Sequence, residues 1–243
     1  MKVYCMNCSF QLTKAMTLER YTDLIRCLPY LDQAFVTKKS NWRINKETNV
    51  LFLEFHNASF VSEKLKLSRA DLFEVCKHNF NDAIFSIIFW GYPRNMRGNN
   101  FDSILRQLDK IKSALQMPRN LSKEEFSSMI MELNSTGVGL STLSKFLYFF
   151  EYRLEGYKCL ILDKSIMDVI NYQEGFVEMK NLSLEDGINE SNKTKKYVAY
   201  LQLMEDLSRN NGYMPDQLEF FLFSMGMNLK PSKGPSFKKY SFT

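Results

Sequence analysis

The sequence predicts a mainly α-helical protein with a small α/β element near its N-terminus. Three observations carry this expectation. From Ser68 to Gly226, apolar residues recur at three- and four-residue spacing in one segment after another, the period of helices with a buried face. Before that, an apolar stretch on each side of Lys46-Glu47-Thr48-Asn49 reads as strand, turn and strand over residues 41–55. Finally, 45% of the 243 residues are apolar and 14% aromatic, enough to fill a core.

The elements follow in order. Residues 17–28 form a short helix ended by Pro29. Asn41-Trp42-Arg43-Ile44-Asn45 and Val50-Leu51-Phe52-Leu53-Glu54-Phe55 are the two expected strands. Ser68 caps a helix whose buried face holds Leu72, Phe73, Cys76, Phe80, Ala83, Ile84, Ile87 and Ile88, and Gly91 and Pro93 stop it. Phe101, Ile104, Leu105, Leu108, Ile111 and Leu115 mark the next helix, closed by Pro118. Ser122-Lys123-Glu124-Glu125 is a capping box that opens a helix with Phe126, Met129, Ile130 and Leu133 inward.

A tight turn at 134–140 leads into a helix with Leu143, Phe146, Leu147 and Phe150 on its apolar side. Cys159-Leu160-Ile161-Leu162 is too short for a helix and ends at Asp163, after which 164–170 resumes a helical pattern. Residues 171–193 are polar, as a surface loop would be. Helices at 194–209 and from Pro215 to Gly226 complete the chain. The sequence thus divides into a segment 1–67, a helical domain 68–226 and a basic tail 227–243.

Bulk properties narrow the functional classes. No apolar run approaches the ~18–20 residues of a membrane span. Met1–Phe10 is short, polar and followed by Lys14, Glu19 and Arg20, so a cytoplasmic location is expected. Five scattered cysteines, an odd number, do not suggest a disulfide framework. Cys5-Met6-Asn7-Cys8 has zinc-ligand spacing, but no second pair or nearby histidine completes four ligands, and no metal or other cofactor is expected. The net charge of +5 is concentrated in the tail, where Lys230, Lys233, Lys238 and Lys239 stand without an acid. That suits a polyanionic partner as well as it suits a solvated end.

The turn at Gly137-Val138-Gly139 carries the functional signal. Two glycines let the chain reverse tightly between helices. The second helix then presents backbone N–H groups at its positive end, a ready site for phosphate oxygens. Ser141 and Thr142 add hydroxyl donors beside it. By itself, however, Gly-x-Gly between helices is common to many α-hairpins.

Several further segments fall in a fixed order with this turn: Phe89-Trp90-Gly91-Tyr92-Pro93-Arg94 with Arg97-Gly98, Lys145-Phe146-Leu147-Tyr148-Phe149, Leu160-Ile161-Leu162 before Asp163, and Tyr197, Tyr200, Pro215-Asp216-Gln217-Leu218-Glu219, Leu222-Phe223 and Gly226. Over residues 70–226 this order resembles the helix-hairpin-helix DNA glycosylases, and more closely the bacterial branch with an 8-oxoguanine-glycosylase-like fold. The resemblance implies a two-lobed helical fold and a double-stranded DNA substrate with one base flipped out. It also implies base excision with Asp163 as the catalytic carboxylate. Breaking an N-glycosidic bond builds positive charge on the sugar, and a carboxylate stabilises it. Read structurally, Asp163 is an N-cap for the helix that follows.

Bifunctional relatives carry a lysine nucleophile two residues past the second hairpin glycine. Here that residue is Ser141, which cannot form an imine. Three readings stay open: a monofunctional enzyme in which Asp163 activates water, a role taken over by Lys145 one turn on, or a fold that keeps DNA binding without excision. The first leads, and Lys145 otherwise reads as an exposed helix residue or a phosphate contact. The expected DNA contacts are Gly137, Val138, Gly139, Ser141 and Thr142, with Arg94 and Arg97 from the loop after the Trp-Gly stretch. Trp90, Tyr92, Phe101 and Asn99 are the candidates for the base pocket, since aromatics can sandwich a flipped base and an amide can read its edge. Trp90 by itself reads first as core, since it ends a buried helix. The substrate on this reading is an oxidised purine or a modified phage base, which would make the protein a repair or an anti-phage defence enzyme. The alternative is a non-catalytic DNA-binding protein or a subunit of such a complex.

Overall fold

The computed structural model describes residues 16–43, 49–172, 175–180, 182 and 192–229. The Cys5–Cys8 pair, the tail lysines and most of the polar stretch 171–193 lie outside the described residues. Eleven α-helices and five short strands are present among them. None of these helices is long and apolar enough to cross a membrane.

A 3₁₀ turn runs into α1 (Thr22–Cys27), and a small sheet follows, in which β1 (Ala34–Lys38) pairs antiparallel with β2 (Lys64–Ser68). The expected strand at residues 50–55 is a helix instead, α2 (Val50–Ser59). Asn49, read from sequence as a turn residue, caps it by accepting from the backbone N–H groups of Leu51 and Phe52. Phe52, Phe55 and His56, at helical spacing, are the residues it buries. The other expected strand is not formed where the chain is described: Lys39–Asn41 is a 3₁₀ turn. Trp42, just after it, stacks on Phe89 at 4.1 Å.

The helix expected from Ser68 to Gly91 is two helices. Ser68 opens α3 (Arg69–His78) with a capping box closed by Asp71. Asn79 then takes an extended conformation, and its side chain caps α4 (Phe80–Gly91). Every residue of α4 from Ala83 to Trp90 is buried, as befits a helix at the centre of the molecule. The next expected helix also splits, into α5 (Asn100–Arg106) and α6 (Leu108–Ala114). Gln107 between them sends its amide 2.6 Å to the carbonyl of Ser135 and so braces the later hairpin.

After β3 (Asn120–Leu121), the Ser122 capping box opens α7 (Lys123–Leu133), and the glycine turn leads to α8 (Leu140–Phe149). β4 (Arg153–Leu154) runs parallel to β3, and β5 (Tyr157–Lys158) pairs antiparallel with β4. Then follow α9 (Lys164–Ile170), α10 (Lys193–Asn211) and α11 (Pro215–Phe221), which continues into a π-helical turn at Leu222–Gly226.

The buried apolar side chains form one continuous cluster from Met16 to Leu222, and it spans the Ser68 boundary. The N-terminal residues also close against the C-terminal ones. Arg26 donates to the carbonyls of Asn211 and Gly212, and Met16 bridges to Phe176.

Candidate active site

The segment before Asp163 is held by hydrogen bonds to its backbone. The Tyr197 hydroxyl donates to the carbonyl of Leu160 at 2.7 Å, and that of Tyr200 to Ile161 at 2.9 Å. Burial pushes both phenols well above their usual range, so they remain donors. The amide of Leu162 donates to Ser144 Oγ at 3.1 Å, and Ser144 lies on α8. This segment is therefore pinned between α10 and the helix of the hairpin.

Asp163 ends it in an extended conformation and caps α9, with Oδ1 accepting from the Ile166 amide at 3.1 Å. It also lines a cleft between α4, α8 and the π turn, so capping and facing the cleft are compatible roles for one carboxylate.

The cleft has aromatic walls and a charged floor. Trp90 meets Phe35 edge-on at 5.2 Å, and Phe35 meets Phe223 in the same way at 6.2 Å. All three line the cleft. On the floor, Arg69 Nη1 lies 2.6 Å from Glu219 Oε2 and donates to the Tyr148 hydroxyl at 3.0 Å, while its Nε donates to Gln33 Oε1 at 2.6 Å. Tyr148 in turn donates to Asp216, which pairs with Lys158 at 2.7 Å. Burial pushes the Glu219 carboxyl upward while Arg69 pulls it down. Burial also disfavours the charge on Arg69, but Glu219 and Tyr148 more than offset this, and the guanidinium is held charged. Arg69 Nη2 is buried without a hydrogen-bond partner. The space within it is small, about 40 Å³.

Lys145 also lines this cleft, which corrects the expectation of an exposed helix residue. It is only 3% exposed. Its ammonium donates to the carbonyl of Ser141 at 3.1 Å and to Ser141 Oγ at 3.0 Å, and sits 5.2 Å from the centre of the Tyr92 ring. Its stem runs against Gly91, where a Cβ would stand 2.7 Å from Lys145 Cδ. A glycine after Trp90 thus makes the room for this lysine.

At the hairpin, Gly137 adopts a φ of +84°, and a Cβ there would meet the Asn100 carbonyl at 2.7 Å. Thr136 folds back, donating to the Leu133 carbonyl and accepting from the Val138 amide. Val138 itself is buried. Gly139 is exposed and precedes α8 with no side-chain cap.

Thr142, expected at a phosphate, is buried, and its hydroxyl shares a 2.7 Å hydrogen bond with the Tyr92 hydroxyl. Ser141 is half-buried and accepts from Lys145. Arg94 and Arg97 are exposed on the loop after α4. That loop is anchored at the Pro93 carbonyl by Thr37 and Asn41.

The expected base pocket is only partly assembled. Trp90 lines the cleft while its indole N–H donates to the Gln33 carbonyl at 3.3 Å, so its core and cleft readings coincide. Tyr92 lies beside the cleft, under Lys145. Phe101 is a core residue, packed edge-on against Trp42 and Phe52 at 4.9 and 5.0 Å. Asn99 is exposed ahead of α5, away from the cleft.

Arg69, Glu219, Gln33 and Phe35 were missed as site residues. For two of them a signal existed. Arg69 falls in register with Leu72, Phe73 and Cys76, and Glu219 with Leu218, Leu222 and Phe223, which puts one charge on each of two apolar helix faces. Among the described residues, no cluster of three His, Cys, Asp or Glu side chains is arranged to hold a metal ion.

A family model described as "Putative 8-oxoguanine DNA glycosylase OGG-like protein" matches residues 28–223. No curated protein and no solved structure matches the chain. The family match starts well before residue 70, so it takes in β1 and α2, which the sequence motifs had left outside.

Proposed function

The chain belongs to this OGG-like family, and from that premise we propose that it is a DNA glycosylase, which excises a damaged or modified base with Asp163 as its catalytic carboxylate. The observation that carries the reading is the place of Asp163. It faces a cleft with aromatic walls, on a segment bound directly to the hairpin helix through Ser144. The hairpin and the uncapped start of α8 would hold the phosphates, without regard to sequence. The flipped base would enter between Phe35, Trp90 and Phe223, over the Arg69–Glu219 floor. Asp163 would stabilise the positive charge that grows on the deoxyribose as the glycosidic bond breaks.

The family description points to an oxidised purine, and a modified phage base belongs on the same test panel. Ser141 argued for a hydrolytic, monofunctional reaction. The presence of Lys145 in the cleft reopens that choice.

The test is base release from duplexes that each carry one modified base, together with hypermodified phage DNA. Abasic sites, seen as alkali-labile breaks, are expected on at least one substrate and should vanish in Asp163→Asn. A second reading, DNA binding without excision, is favoured by the cleft's 40 Å³. A base needs more room, so the aromatic walls and the Lys145 stem would have to shift for it to enter. Salt-sensitive DNA binding without release from any substrate would establish that second reading.

A further inference from the structure

We propose that Arg106 and Lys110, at the corner between α5 and α6, form a second phosphate-binding track beside the glycine hairpin, so that the protein grips the backbone of duplex DNA at two adjoining places. The proposal rests on the DNA-binding part of the glycosylase reading and goes beyond it. Three observations carry it: the packing of this corner on the hairpin, its unpaired cations, and its excess of charge.

The corner is built against the hairpin. The Asn100 carbonyl and Ser103 Cβ stand 2.7 and 3.2 Å from where a Cβ of Gly137 would be. Gln107, between the two helices, donates to the Ser135 carbonyl at 2.6 Å, and Lys110 Nζ lies 3.5 Å from Ser135 Oγ. Arg106 Nη2 donates to Ser103 Oγ at 3.3 Å. Both cations are therefore tied, through Ser103 and Ser135, to residues that shape the turn.

Both are exposed, and neither pairs with a carboxylate among the described residues. Asp109 reaches Lys112 instead, at 3.8 Å, and Asp102, one turn before Arg106, makes no ion pair with it. An exposed cation without an acid partner is available to neutralise a phosphate. Charge is also concentrated here. Outside its tail the chain is close to neutral, yet residues 94–112 hold five cations against two acids. Arg94 and Arg97 are exposed on the loop that leads into α5, so the excess lies along the stretch that packs on the hairpin. The first track consists of backbone N–H groups at the start of α8, which supply only partial charge. Full charges beside it would release counterions and add affinity without reading sequence.

The experiment titrates the full chain with a fluorescent duplex over a range of salt concentrations and reads the slope of log affinity against log salt. Each phosphate contact contributes about 0.9 to that slope. Arg106→Gln and Lys110→Gln should each make it shallower by about 1, and the double variant by about 2. Arg106→Lys and Lys110→Arg keep the charge and should keep the parent slope. Lys66→Gln, at an exposed and equally unpaired lysine on β2, should leave the slope as it is. The proposal is overturned by an unchanged slope in the double variant, by an equal change in Lys66→Gln, or by the same loss in the charge-keeping variants, which would mark a structural brace of the hairpin. Absence of salt-dependent duplex binding overturns both this track and the glycosylase reading. Base release on the lesion panel is read separately. Release with an unchanged slope in the double variant overturns the track and leaves excision standing. The expected slope changes without release from any lesion support the track and sink excision.

Discussion

Arg69 and Glu219 form an ion pair at 2.6 Å with both side chains shut away from solvent, across two helices 150 residues apart in the chain. Removing one partner leaves the other as an uncompensated buried charge. Arg69→Met or Glu219→Leu alone should cost about 3–5 kcal/mol, whereas the double variant should recover most of that loss. Urea unfolding of the three variants measures this directly. Equal destabilisation by the double and the single variants would show that the pair does not act as a unit.

Asp163→Asn separates chemistry from folding. Asparagine caps a helix as well as aspartate, so unfolding should stay within about 0.5 kcal/mol of the parent. Base release should fall about 100-fold or more, because the negative charge is gone. Asp163→Ala should lose the cap as well, at about 1 kcal/mol. Single-turnover release and thermal melts on both variants distinguish the two losses.

The two hairpin glycines should respond differently. Gly137 has a positive φ and a backbone carbonyl where its Cβ would be, so Gly137→Ala should cost about 1–3 kcal/mol and weaken DNA binding. Gly139 has ordinary angles and open space, and Gly139→Ala should cost about 1 kcal/mol or less. Melting curves and DNA titrations of the pair check the contrast.

His56 should make stability depend on pH. It is buried between Phe52 and Phe60, and burial lowers its pKa below 6.5, outweighing the opposing pull of the Lys39 backbone. As the pH falls below that value, the unfolded chain takes up a proton that the fold does not, so stability falls on acidification and is complete above it. In His56→Phe, denaturant midpoints measured from pH 7 down to pH 5 should show a shallower fall.

The features readable along the chain were local ones. Helical periodicity located most of the helices, the Ser68 and Ser122 caps marked two of their starts, and the glycine turn and the Asp163 cap were legible because each is a local pattern. Local signals failed where two structures satisfied the same pattern. The run from Val50 to Phe55 suits a strand or a helix, and Asn49 serves equally in a turn or as a cap. The breaks at Asn79 and Gln107 leave the apolar period intact and are made by backbone turns and side-chain hydrogen bonds.

The composition of the cleft came from long-range packing. Arg69 and Glu219 share one floor because α3 and α11 meet, and Gln33 and Phe35 join them from β1 and the residue before it. Whether Lys145 faces water or the cleft depends on what packs against α8, and the chain 54 residues earlier supplies that answer in Gly91. A side chain's environment is set by neighbours distant in sequence, and no spacing rule along one helix carries that information.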